Sequence, residues 1–309
     1  MAEKHNDRRG NARNRVAPIY AEIGNRLRAY RVGAGLSAEE LAERLGVSRA
    51  ALYRIEAGMV VKIDTLERLA TVLQTSVASL LGVGVEYYAK AVAYFERMRQ
   101  LEAECDQLVA HFEPFSYLLT SEEYGTYLRQ MMVESLPRDL PDRAAALKEI
   151  DDCLTVLEER KSFARKRRPS IVSFMSVIEI ERFLNLGLVG RLDLPAKTRA
   201  DRIAAARREV ERVVALLEEE PMGIQIGVIE DMLPNVTFQI FHTASTTRVA
   251  VSPFRLGELP NIRTGIATVT AAEEAVTLYN QLAKELWRRA AKGARAADVI
   301  RKVLRRIRN

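Results

Sequence analysis

The chain reads as a multidomain protein. A small all-α bundle lies near the N-terminus, a long connecting helix follows, and a mixed α/β (α+β) domain fills the rest of the 309 residues. Three observations predict this. The length exceeds what one core commonly serves. Apolar residues recur at helical spacing up to about residue 168, and alternation sets in beyond Pro169. Apolar residues at 48% and charged residues at 28% fit an ordinary soluble globular chain. The expected divisions are a basic flexible arm over 1–18, the bundle over 19–84, the connecting helix over 85–113 and the α/β domain over 114–309.

No run approaches the roughly 20 apolar residues of a membrane span, so no membrane partner is expected. Met1 to Val16 is polar and arginine-rich, unlike a secretory leader. Cys105 and Cys153 offer neither a disulfide framework nor zinc-ligand spacing, which fits a reducing cytoplasm. The formal net charge of +6 is concentrated at the two ends. Lys4, Arg8, Arg9, Arg13 and Arg15 face only Glu3 and Asp7, and ten Lys/Arg after Gln281 face only Glu285 and Asp298. Such ends suit phosphate contact, or form solvated tails.

The strongest local signals lie between Ile19 and Gly84. A first helix over about Ile23 to Arg31 ends in Val32-Gly33-Ala34-Gly35. Ser37 and Glu40 have the spacing of a capping box, ahead of a helix with Leu41, Ala42 and Leu45 inward. Gly46 stands where the chain must turn sharply, and a positive φ costs glycine little. Ser48 suits the N-cap of a helix over Arg49 to Ala57, with Leu52 and Ile55 inward and Gly58 closing it. Helices over Ile63–Leu73 and Val77–Leu81 complete the bundle.

The segments LSAEELAERLGVSRAALYRIEAG and TLERLATVLQTSVASLL resemble the Cro/C1-repressor (XRE-type) helix-turn-helix domains of bacterial and phage regulators, over about Ile23 to Leu81. The resemblance implies double-stranded DNA as partner, with the helix from Arg49 in the major groove. Its outward positions include Arg49, Ala50, Tyr53 and Arg54. An arginine can bridge guanine O6 and N7, and an alanine methyl can meet a thymine methyl. Phosphate contact is the other role open to Arg49 and Arg54. Ala38 and Met59 stand where the family often has glutamine and lysine, so phosphate clamping falls to Arg28, Ser48, Lys62 and Arg68 or to the N-terminal arm. Arg31 and Glu56 resemble a structural ion pair of the family.

Tyr87, Ala91, Tyr94, Met98, Leu101, Cys105, Leu108 and Phe112 recur at alternating steps of four and three, the pattern of a dimeric coiled coil. A parallel dimer would let Arg97 and Glu102 pair between chains and bring Cys105 within disulfide reach of its copy. Tyr88, Phe95 and Val109 widen the stripe, so a helix buried in its own domain is the other reading.

Farther on, helices are expected from Thr120 to Leu136, from Asp142 to Lys166 and from Pro195 to Glu220. The run Arg160 to Arg168 reads as a basic helix end at the surface, and secondarily as a nucleic-acid patch. Strands are expected over Ile171–Met175, Ile224–Val228 and Ile262–Val269, with a hairpin of Val236–Ile240 and Val249–Val251. A helix from Thr270 to Ala291 follows, and Ile300, Val303, Leu304 and Ile307 form a stripe that suits docking of the basic tail. The element order and the segment YLLTSEEYGTYLR loosely resemble the C-terminal domain of certain actinobacterial helix-turn-helix regulators and antitoxins.

His5, His111 and His242 make neither a triad nor a metal cluster, and His-Glu-x-x-His is absent, so no catalytic site, metal or cofactor is expected. His242 suits a structural role at a strand end. Two functions stay open. One is a dimeric transcriptional regulator, cytoplasmic and nucleoid-associated, whose C-terminal domain senses a ligand or partner. The other is a DNA-binding antitoxin or phage-type repressor whose C-terminal domain is a protein-binding surface.

Overall fold

The computed structural model describes residues 8–59, 61–231, 234 and 236–307. The N-terminal bundle consists of α1 (Arg8–Gly33), α2 (Ala38–Leu45), α3 (Arg49–Glu56), α4 (Ile63–Val72) and α5 (Val77–Leu81). Leu41, Ala42, Leu45, Leu52 and Ile55 are buried, as their spacing requires. The local signals act as read. Ser37 and Glu40 close a reciprocal capping box at 3.1 and 2.7 Å. Gly46 turns the chain at φ 65°. Ser48 Oγ accepts the Ala51 amide at 3.1 Å. The flexible arm expected over 1–18 is helical from Arg8 onward, as the start of α1; residues 1–7 lie outside the described residues.

Residues 85–113 are not one helix. They form β1 (Val85–Tyr88), α6 (Ala91–Glu104) and β2 (Gln107–His111). Cys105 ends α6 in extended conformation, and Leu108-Val109-Ala110 then pairs with strands on both sides. The heptad seam is therefore spent inside the chain. Ala91, Tyr94, Met98, Leu101, Cys105, Leu108 and Phe112 are buried in the protein's own core, and only Tyr87 is exposed. Arg97 and Glu102, expected to pair between chains, bond Glu86 and Arg160 respectively. Burial, with Glu102 adding, pushes the Cys105 thiol up to about 12, so the cross-link between copies also loses its basis.

A 3-10 turn at Tyr117–Leu119 precedes α7 (Tyr124–Glu134), α8 (Arg143–Arg167), β3 (Ser170–Ser176), α9 (Val177–Leu186) and α10 (Ala196–Glu219). Then come β4 (Ile224–Ile229), β5 (Thr237–His242), β6 (Thr247–Ser252), β7 (Ala267–Thr270), α11 (Glu273–Arg289) and α12 (Gly293–Arg306). One mixed sheet runs β1-β7-β6-β5-β2-β3-β4, with β2, β3 and β4 parallel and the other pairs antiparallel. The α/β unit thus begins at Val85, not at residue 114. Side-chain alternation divides its core. Val109, Phe174, Phe238 and Ile240 meet α11 on one face, while Leu108, Ala110 and Phe241 join the larger cluster on the other.

The basic run at the end of α8 departs from a surface reading at its first two residues. Arg160 is buried and grips Glu102 with two bonds, at 2.9 and 2.6 Å. Lys161, also buried, donates to the carbonyls of Thr120 and Ser121, and burial lowers its ammonium to about 8. The apolar stripe of the last helix docks as expected. Ile300, Val303 and Leu304 are buried, and Arg207 of α10 donates to the carbonyls of Leu304 and Ile307. His242 sits at a strand end beside Thr247 Oγ1 at 3.2 Å. Among the described residues no helix is long and apolar enough to cross a membrane.

Candidate nucleic-acid interface

Arg49, Ala50, Tyr53 and Arg54 all stand exposed on α3, opposite the buried Leu52 and Ile55. The Arg49 guanidinium is already posed. It donates to Tyr53 Oη at 3.2 Å, lies 5.4 Å from that ring's centre, and comes within 3.8 Å of Glu39 on α2. Ordering an arginine before contact lowers the entropy lost when it binds.

Two contacts fix α3 against α1, and a third ties α4 to α2. Arg31 reaches both Glu56 oxygens, at 2.6 and 3.2 Å, and donates to the Leu36 carbonyl at 2.9 Å. Arg68 donates to the Leu45 carbonyl at the end of α2. Gly24 of α1 lies so close beneath Glu56 that a side-chain carbon there would meet its carbonyl oxygen at 2.2 Å.

The four phosphate candidates separate into two pairs. Ser48 and Lys62 are exposed. Ser48 Oγ accepts an amide, which leaves its hydroxyl proton to donate. Arg28 lies 3.3 Å from Glu96 on α6, and Arg68 is engaged on Leu45, so both guanidiniums already serve contacts within the protein. Glu39 was not legible as part of this surface, because its approach to Arg49 depends on how α2 crosses α3. A carboxylate beside a DNA-facing cation opposes the phosphates. Glu39→Ala is expected to tighten binding to random duplex several-fold at low salt, read by fluorescence anisotropy. Unchanged affinity would separate Glu39 from the DNA-facing surface.

Another face of α1 is locked into the α/β unit by a buried ionic cluster. Arg97 of α6 donates to Glu86 of β1 at 3.0 and 3.1 Å and to Glu22 of α1 at 3.0 Å. Arg248 of β6 approaches Glu22 at 2.9 Å, and Tyr88 donates to Glu86 at 2.6 Å. Arg26 of α1 joins Glu22 and Glu86 and donates to the carbonyls of Leu80 and Leu81 that end α5. Burial alone would lower the Arg97 pKa, but Glu86, Tyr88 and Glu22 more than offset it. Burial would likewise raise Glu22, yet Arg97 and Arg248 hold it below the ordinary carboxylate range. Tyr30 stacks on Tyr88 with ring centres 4.9 Å apart, and Gln100 donates to the Asn25 carbonyl. Partners 60 and 75 positions apart leave no pattern in the sequence.

Among the described residues no group of His, Cys, Asp and Glu is arranged to hold a metal ion. No curated protein and no solved structure matches the chain. Residues 22–81 match a protein-family model described as a helix-turn-helix domain. That span takes in the part of α1 beneath α3 and all of α2 to α5. The N-terminal bundle of this chain is therefore a helix-turn-helix domain, a fold that binds DNA by setting one helix into the major groove.

Proposed function

We propose that the protein is a sequence-specific transcriptional regulator that sets α3 into the major groove of double-stranded DNA and has no catalytic step of its own. The exposed set Arg49, Ala50, Tyr53 and Arg54 on one face of α3 carries this reading. Arg49 and Arg54 read base edges, while Ser48 and Lys62 meet phosphates. On a site selected from random duplexes, Arg49→Ala and Arg54→Ala are each expected to cost about 1–3 kcal/mol, with far less lost on random DNA. Equal losses on both DNAs would reassign the arginines to phosphate.

The α/β unit is the regulatory half. The buried cluster around Arg97 supports this, because it makes α1 common to both parts. Anything that shifts α6 shifts the helix on which α3 rests. Two copies on half-sites about 34 Å apart fit the geometry of such domains. Their interface lies outside the buried Ala91–Phe112 positions. Light scattering with footprinting tests the dimer; a monomer that protects a single half-site would remove it. A DNA target places the protein's work in the cytoplasm, on the nucleoid.

A further inference from the structure

A second cluster of charges lies at the carboxyl ends of the parallel strands. Glu113 follows β2, Glu179 and Arg182 lie on α9 just after β3, and Arg255 and Glu258 lie in the loop between β6 and β7. Arg182 is 2.6 Å from Glu258, 3.3 Å from Glu179 and 3.5 Å from Glu113. Arg255 is 3.1 Å from Glu113 and 3.2 Å from Glu258. Three carboxylates thus share two guanidiniums. Burial, with Glu179 next, pushes the Glu113 carboxyl up to about 7.

The bonding in this cluster is incomplete. The Glu258 side chain is 1% exposed; its Oε1 accepts from Arg182 and Arg255, and its Oε2 has no partner among the described residues. Arg255 Nε and His111 Nδ1 are likewise buried without a hydrogen bond, and so is Glu179 Oε2, although Arg182 lies 3.3 Å from it. A buried polar atom left open costs the folded state its lost hydration. Four of the six such side-chain atoms among the described residues lie at this one sheet end. The position matters too. From β2 the chain moves outward to β3 and β4, then returns to β5 on the other side. The cluster lies outside the carboxyl ends of β2 and β3, the side on which open α/β sheets hold ligands.

We propose that this cluster binds a small organic cation rich in N–H donors, a primary ammonium or guanidinium compound. Its donors satisfy Glu179 Oε2 and Glu258 Oε2, its charge offsets the third carboxylate, and an acceptor on it meets Arg255 Nε. Arg182 and Arg255, 39% and 29% exposed, form the way in, with Glu258 as the floor. The site is linked through a neighbouring residue to the helix that clamps α1. Phe254, beside Arg255, is buried 5.9 Å from Tyr94 and 6.3 Å from Phe95 of α6, centre to centre. Binding does not depend on the regulatory reading; only its effect on DNA rests on that reading.

The test uses the full chain at pH 7.5 with agmatine as probe, by thermal shift and calorimetry. Tetramethylammonium and magnesium serve as controls at matched ionic strength. Saturable stabilisation by agmatine alone is expected, weakened at least tenfold in Glu258→Gln. Should that variant not fold, Glu179→Gln, at a partly exposed position, takes its place. Equal stabilisation by tetramethylammonium would reduce the effect to screening and overturn the site. So would a protein indifferent to agmatine that gains stability from pH 8 to pH 6, since a proton on Glu113 would then balance the third carboxylate. That direction follows from a carboxyl raised in the folded state, whose stabilisation is lost as pH rises through about 7. Selected-site DNA affinity is measured with and without agmatine. Agmatine binding in a chain that reads no DNA would leave the site standing and remove the regulatory reading alone.

Discussion

Replacing Arg97 with methionine is expected to cost about 3–5 kcal/mol of stability, because it leaves Glu86 and Glu22 as buried carboxylates without their main cation. Arg26 and Arg248 remain beside them, but each already serves other contacts or reaches only one oxygen. Denaturant unfolding reads the loss. Hydrogen exchange locates it, since the amides of α1 from Glu22 to Tyr30 are expected to lose protection before those of β2, β3 and β5. The double variant Glu86→Gln, Arg97→Met is expected to recover part of the loss, because it removes a stranded charge together with its partner. An Arg97→Met protein within 1 kcal/mol of the parent would show that the bundle is held by its apolar contacts alone.

Gly24→Val is the second large effect. The added carbons would lie 2.2 Å from the Glu56 carbonyl oxygen and 2.9 Å from that of Ile55, and both are backbone atoms that cannot swing aside. α3 must move off α1, and the Arg31–Glu56 pair opens with it. The cost is expected at about 3 kcal/mol for the bundle, typical of overpacking a tight contact. Selected-site affinity is expected to fall at least a hundredfold, by gel shift. Gly33→Val supplies the comparison. Its added carbons would strike Ala93 of α6 rather than α3, so it should loosen docking while leaving Arg31 on Glu56. If Gly24→Val binds its site as tightly as the parent, the spacing of α1 and α3 does not govern DNA reading.

The bundle was legible because its instructions are local. A capping box, a glycine in the left-handed region and a serine cap each act within a few residues, and the inward leucines follow the helical period. The failure at 85–113 has a physical cause as well. Eleven residues of α6 are buried, among them Glu96, Arg97 and Glu102, so the helix is enclosed on all sides while its buried charges read in the sequence as a solvated face. The short strands β1 and β2 at its ends then happened to keep the step of four and three through Tyr87 and Leu108. The basic run after Arg160 misled in the same way. Its first partner, Glu102, lies 58 positions back, and nothing in a single sequence announces such a pair. Ser48, Arg49, Tyr53 and Arg54 were readable as exposed positions of a helix. That Arg28 and Arg68 are engaged elsewhere became visible only once α6 and the end of α2 were in place.

Sharing α1 between the two halves constrains how this protein can be recombined. A chimera cut at Gly84, the natural seam by sequence, would carry Glu22 and Arg26 away without Glu86 and Arg97. It would also leave Tyr30 without the ring it stacks on. A foreign DNA-reading head grafted there would leave Arg97 with Glu86 alone, without the Glu22 and Arg26 that complete the cluster. Heads and bodies of this type are therefore exchangeable only together with Glu22, Glu86, Arg97 and Arg248 as a matched set. A working transplant would carry β1 and α6 along with the head and keep Arg248 opposite Glu22.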